Sequence, residues 1–173
     1  MRNTHPENIQ EHSLQVAVIT HALAVIKNKL FNGSVDPERA ALLAVFHDSN
    51  ETITGDMPTP IKYFNPEISN AFKNIEDISK NKLLSMLPEE LRESYSSILF
   101  HCEDDEELWK LVKAADRLSA YIKCIEEEKA GNKEFKKAGQ SIYKTVLELD
   151  MPEVGYFIEN FLPSYSLTLD ELE

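Results

Sequence analysis

The sequence is poor in cysteine and glycine and has no long hydrophobic run. Its two cysteines, Cys102 and Cys124, are too few for a disulfide framework, so we expect reduced thiols in a cytoplasmic protein. Stretches of about 18 or more consecutive apolar residues are lacking, which excludes a membrane-spanning helix. The first residues do not follow the charged-then-apolar pattern of a secretory signal.

Basic residues are also scarce relative to acidic ones. The chain has 18 Lys and Arg against 30 Asp and Glu, a net charge of −12. This charge repels polyanions and argues against a nucleic acid polymer as partner. A small anionic ligand stays compatible with it, because a bound metal ion can reverse the potential locally.

Length and composition indicate one compact helical domain over residues 1–173. A chain of 173 residues can bury a hydrophobic core but is too short for two ordinary domains. A hydrophobic content of 42% with five glycines suits helices. Strand-like alternation, repeats and low-complexity segments are lacking. The predicted fold class is all-α.

Helical periodicity is clearest in residues 8–30. One face has apolar residues at three- and four-residue steps and includes a histidine: Ile9, His12, Val16, Ile19, Leu23, Ile26 and Leu30. A second stripe predicts a helix that is covered on two sides, which hints at a subunit contact: Leu14, Val18, His21 and Val25.

Further helices follow from capping residues and proline positions. Asp36-Pro37-Glu38 is a strong helix start, and that helix runs to His47. The remaining predicted helices span 65–87, 88–100, 133–149 and 153–162, and another begins at Asp104 with an apolar stripe that reaches Ile122. Residues 52–60, with two prolines and a glycine, are predicted to be irregular and to lie across the mouth of a site.

The candidate site begins where an apolar helix runs into His47 and Asp48, with Glu51 following. If helical geometry persists to Glu51, the three side chains share about a third of the helix surface. Burying them together is costly unless something neutralises and coordinates them, and a divalent metal ion does both. The alternative is an ordinary helix end, with residues 48–50 as a C-terminal turn.

Two more potential ligands lie far away in the sequence. His12 sits in the apolar stripe of the first helix, and Asp116 borders the stripe of a later one. Taken singly, His12 could be a core histidine bonded to a carbonyl, and Asp116 could pair with Arg117 or a lysine. Their joint occurrence with His47-Asp48 favours a shared metal site.

This pattern resembles the HD-domain superfamily of metal-dependent phosphohydrolases, and most closely the YfbR-like 5′-deoxynucleotidases. The likeness extends nearly end to end, and the Thr-Gly-Asp-x-Pro-Thr-Pro loop narrows it to this branch. The residues that carry the resemblance are 6–17, 44–51, 54–64, 112–116, 126–127 and 163–165.

The resemblance implies a role for each candidate residue. The metal ligands would be His12, His47, Asp48 and Asp116. Glu51 would be catalytic and assist proton transfer at the attacking water. The nucleotide would be contacted by Asp48, Asp56, Met57, Pro58, Thr59 and Asp116. Two imidazoles and two carboxylates suit one Co²⁺, Mn²⁺, Fe²⁺ or Zn²⁺ ion better than Mg²⁺.

The resemblance also implies a homodimer and an activity. We expect a 5′-deoxynucleotidase that hydrolyses deoxyribonucleoside 5′-monophosphates to nucleoside and phosphate. Two alternatives are a phosphohydrolase acting on a cyclic or polyphosphate nucleotide, and a non-catalytic metal- or nucleotide-binding module.

One departure from the family pattern concerns the N-terminus, where we expect a segment usual in the family to be missing. Either the start of the sequence is placed too late, or this chain lacks the segment. Members usually carry an earlier segment in which an arginine followed by a tryptophan grips the phosphate. The context of Arg2 does not match that motif, and the single tryptophan is Trp109. We therefore expect metal binding to persist and turnover to be reduced, because a phosphate arginine orients the reacting group.

Overall fold

The described part of the chain is helical. A computed structural model describes residues 3–4, 6–57, 59–62 and 64–171, and only the backbone of Thr59, Pro60 and Leu169. Within these ranges there is no strand, which confirms the predicted fold class. The α-helices are α1 (Ile9–Leu30), α2 (Pro37–Phe46), α3 (Glu51–Thr54), α4 (Thr59–Lys62), α5 (Pro66–Ser85), α6 (Glu89–Leu99), α7 (Glu106–Lys129), α8 (Lys136–Leu147) and α9 (Pro152–Asn160). Short 3-10 helices span Glu103–Asp105, Lys133–Phe135, Leu162–Ser166 and Leu169–Glu171.

Side-chain caps set the beginnings of the helices that lead to the site. Asn8 accepts hydrogen bonds from the backbone of Gln10 and Glu11, and the Glu11 side chain bonds back to the amide of Asn8. This reciprocal arrangement is a capping box. Asp36 caps α2 through the amide of Arg39, with proline at the first helical position. The two helices therefore begin within a residue of their predicted positions.

The core lies between the two longest helices, α1 and α7, and the helix α2 that packs on both. Helices α8 and α9 cover it from the other side of α7 and from α1. The largest fully buried apolar side chains come from these elements: Val16, Ile19, Leu23, Leu43, Leu111, Val112, Leu118, Ile122 and Val146. None of the described helices is long and apolar enough to cross a membrane.

Three predicted features differ from the structure. Residues 52–60 are not wholly irregular, because α3 and α4 form on either side of residues 55–57. The predicted helix 133–149 begins with a 3-10 turn and ends at Leu147. In the second stripe of α1, the described residues leave Leu14 and Val18 uncovered, at 64% and 63% exposure.

The core predicts a large difference between two leucine truncations. Leu23 is fully buried and Leu147 is 57% exposed. Leu23→Ala should lower the free energy of unfolding by about 2–5 kcal/mol, because it removes buried methyl groups and leaves a cavity. Leu147→Ala serves as the control and should change it by less than about 1 kcal/mol. Urea unfolding of both variants measures the difference, and equal losses would contradict this description of the core.

Candidate active site

His47 and Asp48 follow directly after the last residue of α2. His47 keeps helical dihedrals (φ −58°, ψ −38°), but the chain then tightens. The amide of Ser49 bonds to the carbonyl of Phe46, and the amide of Glu51 bonds to that of Asp48 (2.9 Å). These bonds span three residues rather than four, so the helix continues as 3-10-like turns until α3 begins at Glu51. The geometry is close to the predicted one, but it is not a continuous α-helix.

The tertiary fold brings His12 and Asp116 to the same place. His12 Nε2 lies 3.2 Å from Asp116 Oδ1 and 3.5 Å from Asp48 Oδ2. The rings of His12 and His47 are 5.4 Å apart between centroids. Ligand atoms of His12, His47 and Asp48 all lie within 4.8 Å of one another. Asp116 is not part of that set of three, and its half-exposed side chain reaches the site through His12.

The His47 imidazole is held so that Nε2 points to Asp48. Its Nδ1 lies 2.7 Å from the carbonyl oxygen of Ala44, which can only accept, so Nδ1 carries a proton and donates it. In the neutral ring, Nε2 then carries no proton and presents a lone pair. This atom is buried, has no aligned hydrogen-bond partner among the described residues, and lies 3.1 Å from Asp48 Oδ2. Two acceptor atoms at this distance repel unless a cation lies between them.

Protons can supply that positive charge when no metal is bound. Burial alone lowers the pKa of His12, but bonds to Asp116 and Asp48 outweigh it and raise the pKa to about 10. The pKa of His47 is also raised, since Asp48 outweighs the effect of burial. Burial raises the pKa of Asp48, but the two imidazoles hold it well below its usual range. The cluster therefore favours protonated imidazoles beside ionised carboxylates.

The donor set fits a first-row transition metal ion. Nitrogen and carboxylate oxygen atoms together are the ligands that such ions prefer, whereas Mg²⁺ prefers oxygen and water. His47 donates a hydrogen bond to a backbone carbonyl. Metal-binding histidines commonly have such a partner, because it fixes the tautomer and the ring orientation. The buried Nε2 of His47 is the atom that a metal ion would satisfy.

Glu51 lies beside the cluster as a half-buried carboxyl group. Burial and the negative charges of Asp48 and Asp56 raise its pKa to about 7. A carboxyl group with this pKa can both accept and release a proton near neutral pH. Asp56 is exposed and Met57 half-buried, and they follow Gly55, whose φ of 69° requires a residue without a side chain.

Two candidate residues fall partly or wholly outside the described residues. Pro58 is not described, and only the backbone of Thr59 is. Their expected contacts with the nucleotide stay predictions.

Two contacts that join the elements of the site were not predicted from the sequence. The carbonyl of Ala44 orients His47, but a backbone atom leaves no signal in the residue type. Ser119 is buried and donates to Gln15 Oε1 (2.6 Å), which joins α7 to α1. Ser119 lies three positions after Asp116, and Gln15 lies three positions after His12. This equal spacing is the one sequence signal that could have suggested the pair.

The raised pKa of His12 predicts proton release on metal binding. At about pH 8, above the ordinary histidine pKa and below the value of about 10, metal-free His12 carries a proton. A metal ion must displace it, so binding should release about one proton from His12. Apparent affinity should rise with pH until about 10. Calorimetry of Mn²⁺ binding in two buffers of different ionisation enthalpy measures the release. His12→Gln should lower it, and binding without proton release would contradict the protonation state.

Solved structures support the fold. The chain superposes on an HD-domain phosphohydrolase from Listeria innocua with a TM-score of 0.81, covering 95% of this chain and 79% of that one at 23% identity. It also matches a protein from Pyrococcus horikoshii with a TM-score of 0.64, 26% identity and coverage of 94% and 84%. The helices that carry the candidate site thus adopt the HD-domain fold.

Sequence relatives identify the family more closely. Residues 1–165 match the 5′-deoxynucleotidase YfbR-like family. A 5′-deoxynucleotidase of Vibrio parahaemolyticus is 52% identical over 172 residues, which cover 99% of this chain and 89% of the relative. One of Photobacterium profundum is 53% identical over 173 residues, with the same coverage. The chain belongs to the YfbR-like 5′-deoxynucleotidase family.

Proposed function

We propose that this protein is a metal-dependent 5′-deoxynucleotidase, a phosphoric monoester hydrolase that releases phosphate from deoxyribonucleoside 5′-monophosphates. Its place in the family supports the reaction. The observation that carries the proposal for this chain is the convergence of His12, His47 and Asp48 from two helices, beside the carboxyl group of Glu51.

His12, His47, Asp48 and Asp116 would hold one divalent ion, for which we propose Co²⁺, Mn²⁺, Fe²⁺ or Zn²⁺. When bound, such an ion supplies Lewis-acid activation of water and neutralises charge on the phosphoryl oxygens. The chain's own contribution is to orient the ligands, through the bond from His47 to Ala44 and the bond from Ser119 to Gln15. Asp48 and Asp116 would also contact the substrate.

Glu51 is the proposed general base. As a carboxylate it accepts a proton from the attacking water while the water oxygen bonds to phosphorus and the bond from phosphorus to O5′ breaks. The proton then becomes available to the departing 5′-oxygen, so that nucleoside and phosphate leave in balanced form. The pKa of about 7 suits both steps near neutral pH.

The nucleotide would extend from the metal ligands across residues 56–59. Asp56 is exposed beside Glu51 and can accept a hydrogen bond from a sugar hydroxyl. Met57, Pro58 and Thr59 complete the proposed contacts. A close fit of this segment against the sugar would favour deoxyribose over ribose, because a 2′-hydroxyl needs additional space and a partner.

Substitution of Glu51 separates metal binding from turnover. Glu51→Gln keeps the shape and removes the base, so phosphate release from deoxyribonucleoside monophosphates should fall about 10²–10⁴-fold. Metal content measured by mass spectrometry should stay at the wild-type level. Glu159→Gln, on an exposed position of α9, is the matched control and should retain full activity. Full activity in Glu51→Gln would remove the proposed role of this residue.

The same assay with a substrate panel tests the reaction itself. Wild-type protein should release phosphate from deoxyribonucleoside monophosphates and more slowly from ribonucleotides. Activity confined to cyclic or polyphosphate nucleotides would contradict the proposed substrate class. Nucleotide-dependent thermal stabilisation without any turnover would instead indicate a binding module.

We also propose that residues 1–173 form one domain, that the protein is a homodimer and that it works in the cytoplasm. The two free cysteines support a reducing compartment. The exposed Leu14 and Val18 lie on one face of α1, and an uncovered apolar stripe is suited to contact with a second copy.

A charged substitution on this stripe tests the dimer. Leu14→Glu combined with Val18→Glu should convert dimer to monomer in analytical ultracentrifugation, since it would place charge in an apolar contact. Leu147→Glu, at another exposed leucine, should leave the sedimentation coefficient unchanged. A monomeric wild-type protein would contradict the proposal.

A further inference from the structure

A lysine at the end of α4 forms a close ion pair beside the candidate site. Lys62 Nζ lies 2.6 Å from Glu76 Oε1 on α5, and the side chains are 26% and 21% exposed. The same nitrogen lies 4.7 Å from the centre of the Phe72 ring. Phe72 is 4% exposed, so the ammonium group rests on a buried aromatic surface. Phe72 and Glu76 are four residues apart on α5 and present one face to the lysine.

The ion pair lies at one end of the segment that carries Asp56. Residues 55–57, which include Asp56, lie between α3 and α4, and both helices contact α5. On the side of α3, the amide of Gly55 bonds to the carbonyl of Glu51 (2.8 Å). On the side of α4, Lys62 bonds to Glu76. The segment that carries Asp56 is therefore fastened at both ends.

The charge of Lys62 also acts on Glu51. Burial and the charges of Asp48 and Asp56 raise the pKa of Glu51 to about 7, and the positive charge of Lys62 opposes this rise. Because the nucleotide would bind beside Glu51, the positive charge of Lys62 would act on it as well. Glu76 limits this charge, since it neutralises part of it.

We propose that Lys62 is a positioning residue whose ion pair with Glu76 fixes α4 on α5 and thereby holds residues 55–57, with Asp56, in place for the nucleotide. The nucleotide contact rests on the proposed function, whereas the fastening of the segment does not. The pair is partly buried and is supported by the ring of Phe72, which distinguishes it from an ordinary surface ion pair.

Hydrogen exchange measures the fastening without substrate or metal. In Lys62→Met, and equally in Glu76→Gln, the backbone amides of residues 55–57, 59, 61 and 62 should exchange up to about fivefold faster than in the wild type. The double variant should resemble either single variant, because both remove the same interaction. Lys73→Met removes an exposed lysine from α5 and should exchange like the wild type. Wild-type exchange in Lys62→Met, or fully additive effects in the double variant, would overturn the fastening.

Steady-state kinetics with a deoxyribonucleoside monophosphate measure the effect on the substrate. Lys62→Met should raise KM several-fold, while kcat and metal content change little, and Lys62→Arg should restore KM. A parallel loss of kcat, metal and thermal stability would identify a general structural role and overturn positioning. An unchanged KM would overturn it as well. If the wild type releases no phosphate, the proposed function fails, while hydrogen exchange still decides the fastening.

Discussion

The contact between His47 and Asp48 is the constraint on which the site depends. The proton of Nδ1 is committed to the carbonyl of Ala44, so a lone pair of Nε2 faces a carboxylate oxygen at 3.1 Å. Such an arrangement is stable only with positive charge between the two atoms. Without a metal, neighbouring carboxylates raise the pKa of both imidazoles despite their burial, which favours protonation that would supply this charge. A divalent ion would supply a larger positive charge between the two atoms and would coordinate both of them.

The fold places one part of the site on the hydrophobic core and the other part in a less buried region. His12, His47 and Asp116 stand on α1, the end of α2 and α7, and these helices share the hydrophobic core. Asp56 instead lies in a short segment between small helices that contact α5, which has few buried residues. The geometry of the proposed metal ligands thus depends on core packing. The segment proposed to contact the nucleotide lies beside single polar contacts such as the ion pair of Lys62 and Glu76.

Local sequence signals predicted most of the helices because they act over a few residues. Asn8 and Asp36 cap the backbone within their own first turn, and the apolar steps of α1 follow the helical period. Residues 52–60 were less predictable. Their prolines and glycine indicated irregular structure, but Pro60 stands in the first turn of a helix, where its missing amide costs nothing. The exposure of Leu14 and Val18 could not be read from periodicity, which marks an apolar face without saying what covers it.

The sequence by itself determined the helical class, the faces on which His12 and Asp116 lie, and the family likeness carried by the motifs around His47 and Asp56. Only the tertiary structure decided that His12 contacts both Asp48 and Asp116, that Ala44 fixes the His47 ring, and that Lys62 pairs with Glu76. Helical period and caps depend on neighbours a few residues away. The distance between two side chains on different helices depends on how those helices pack, which is set by the whole core at once.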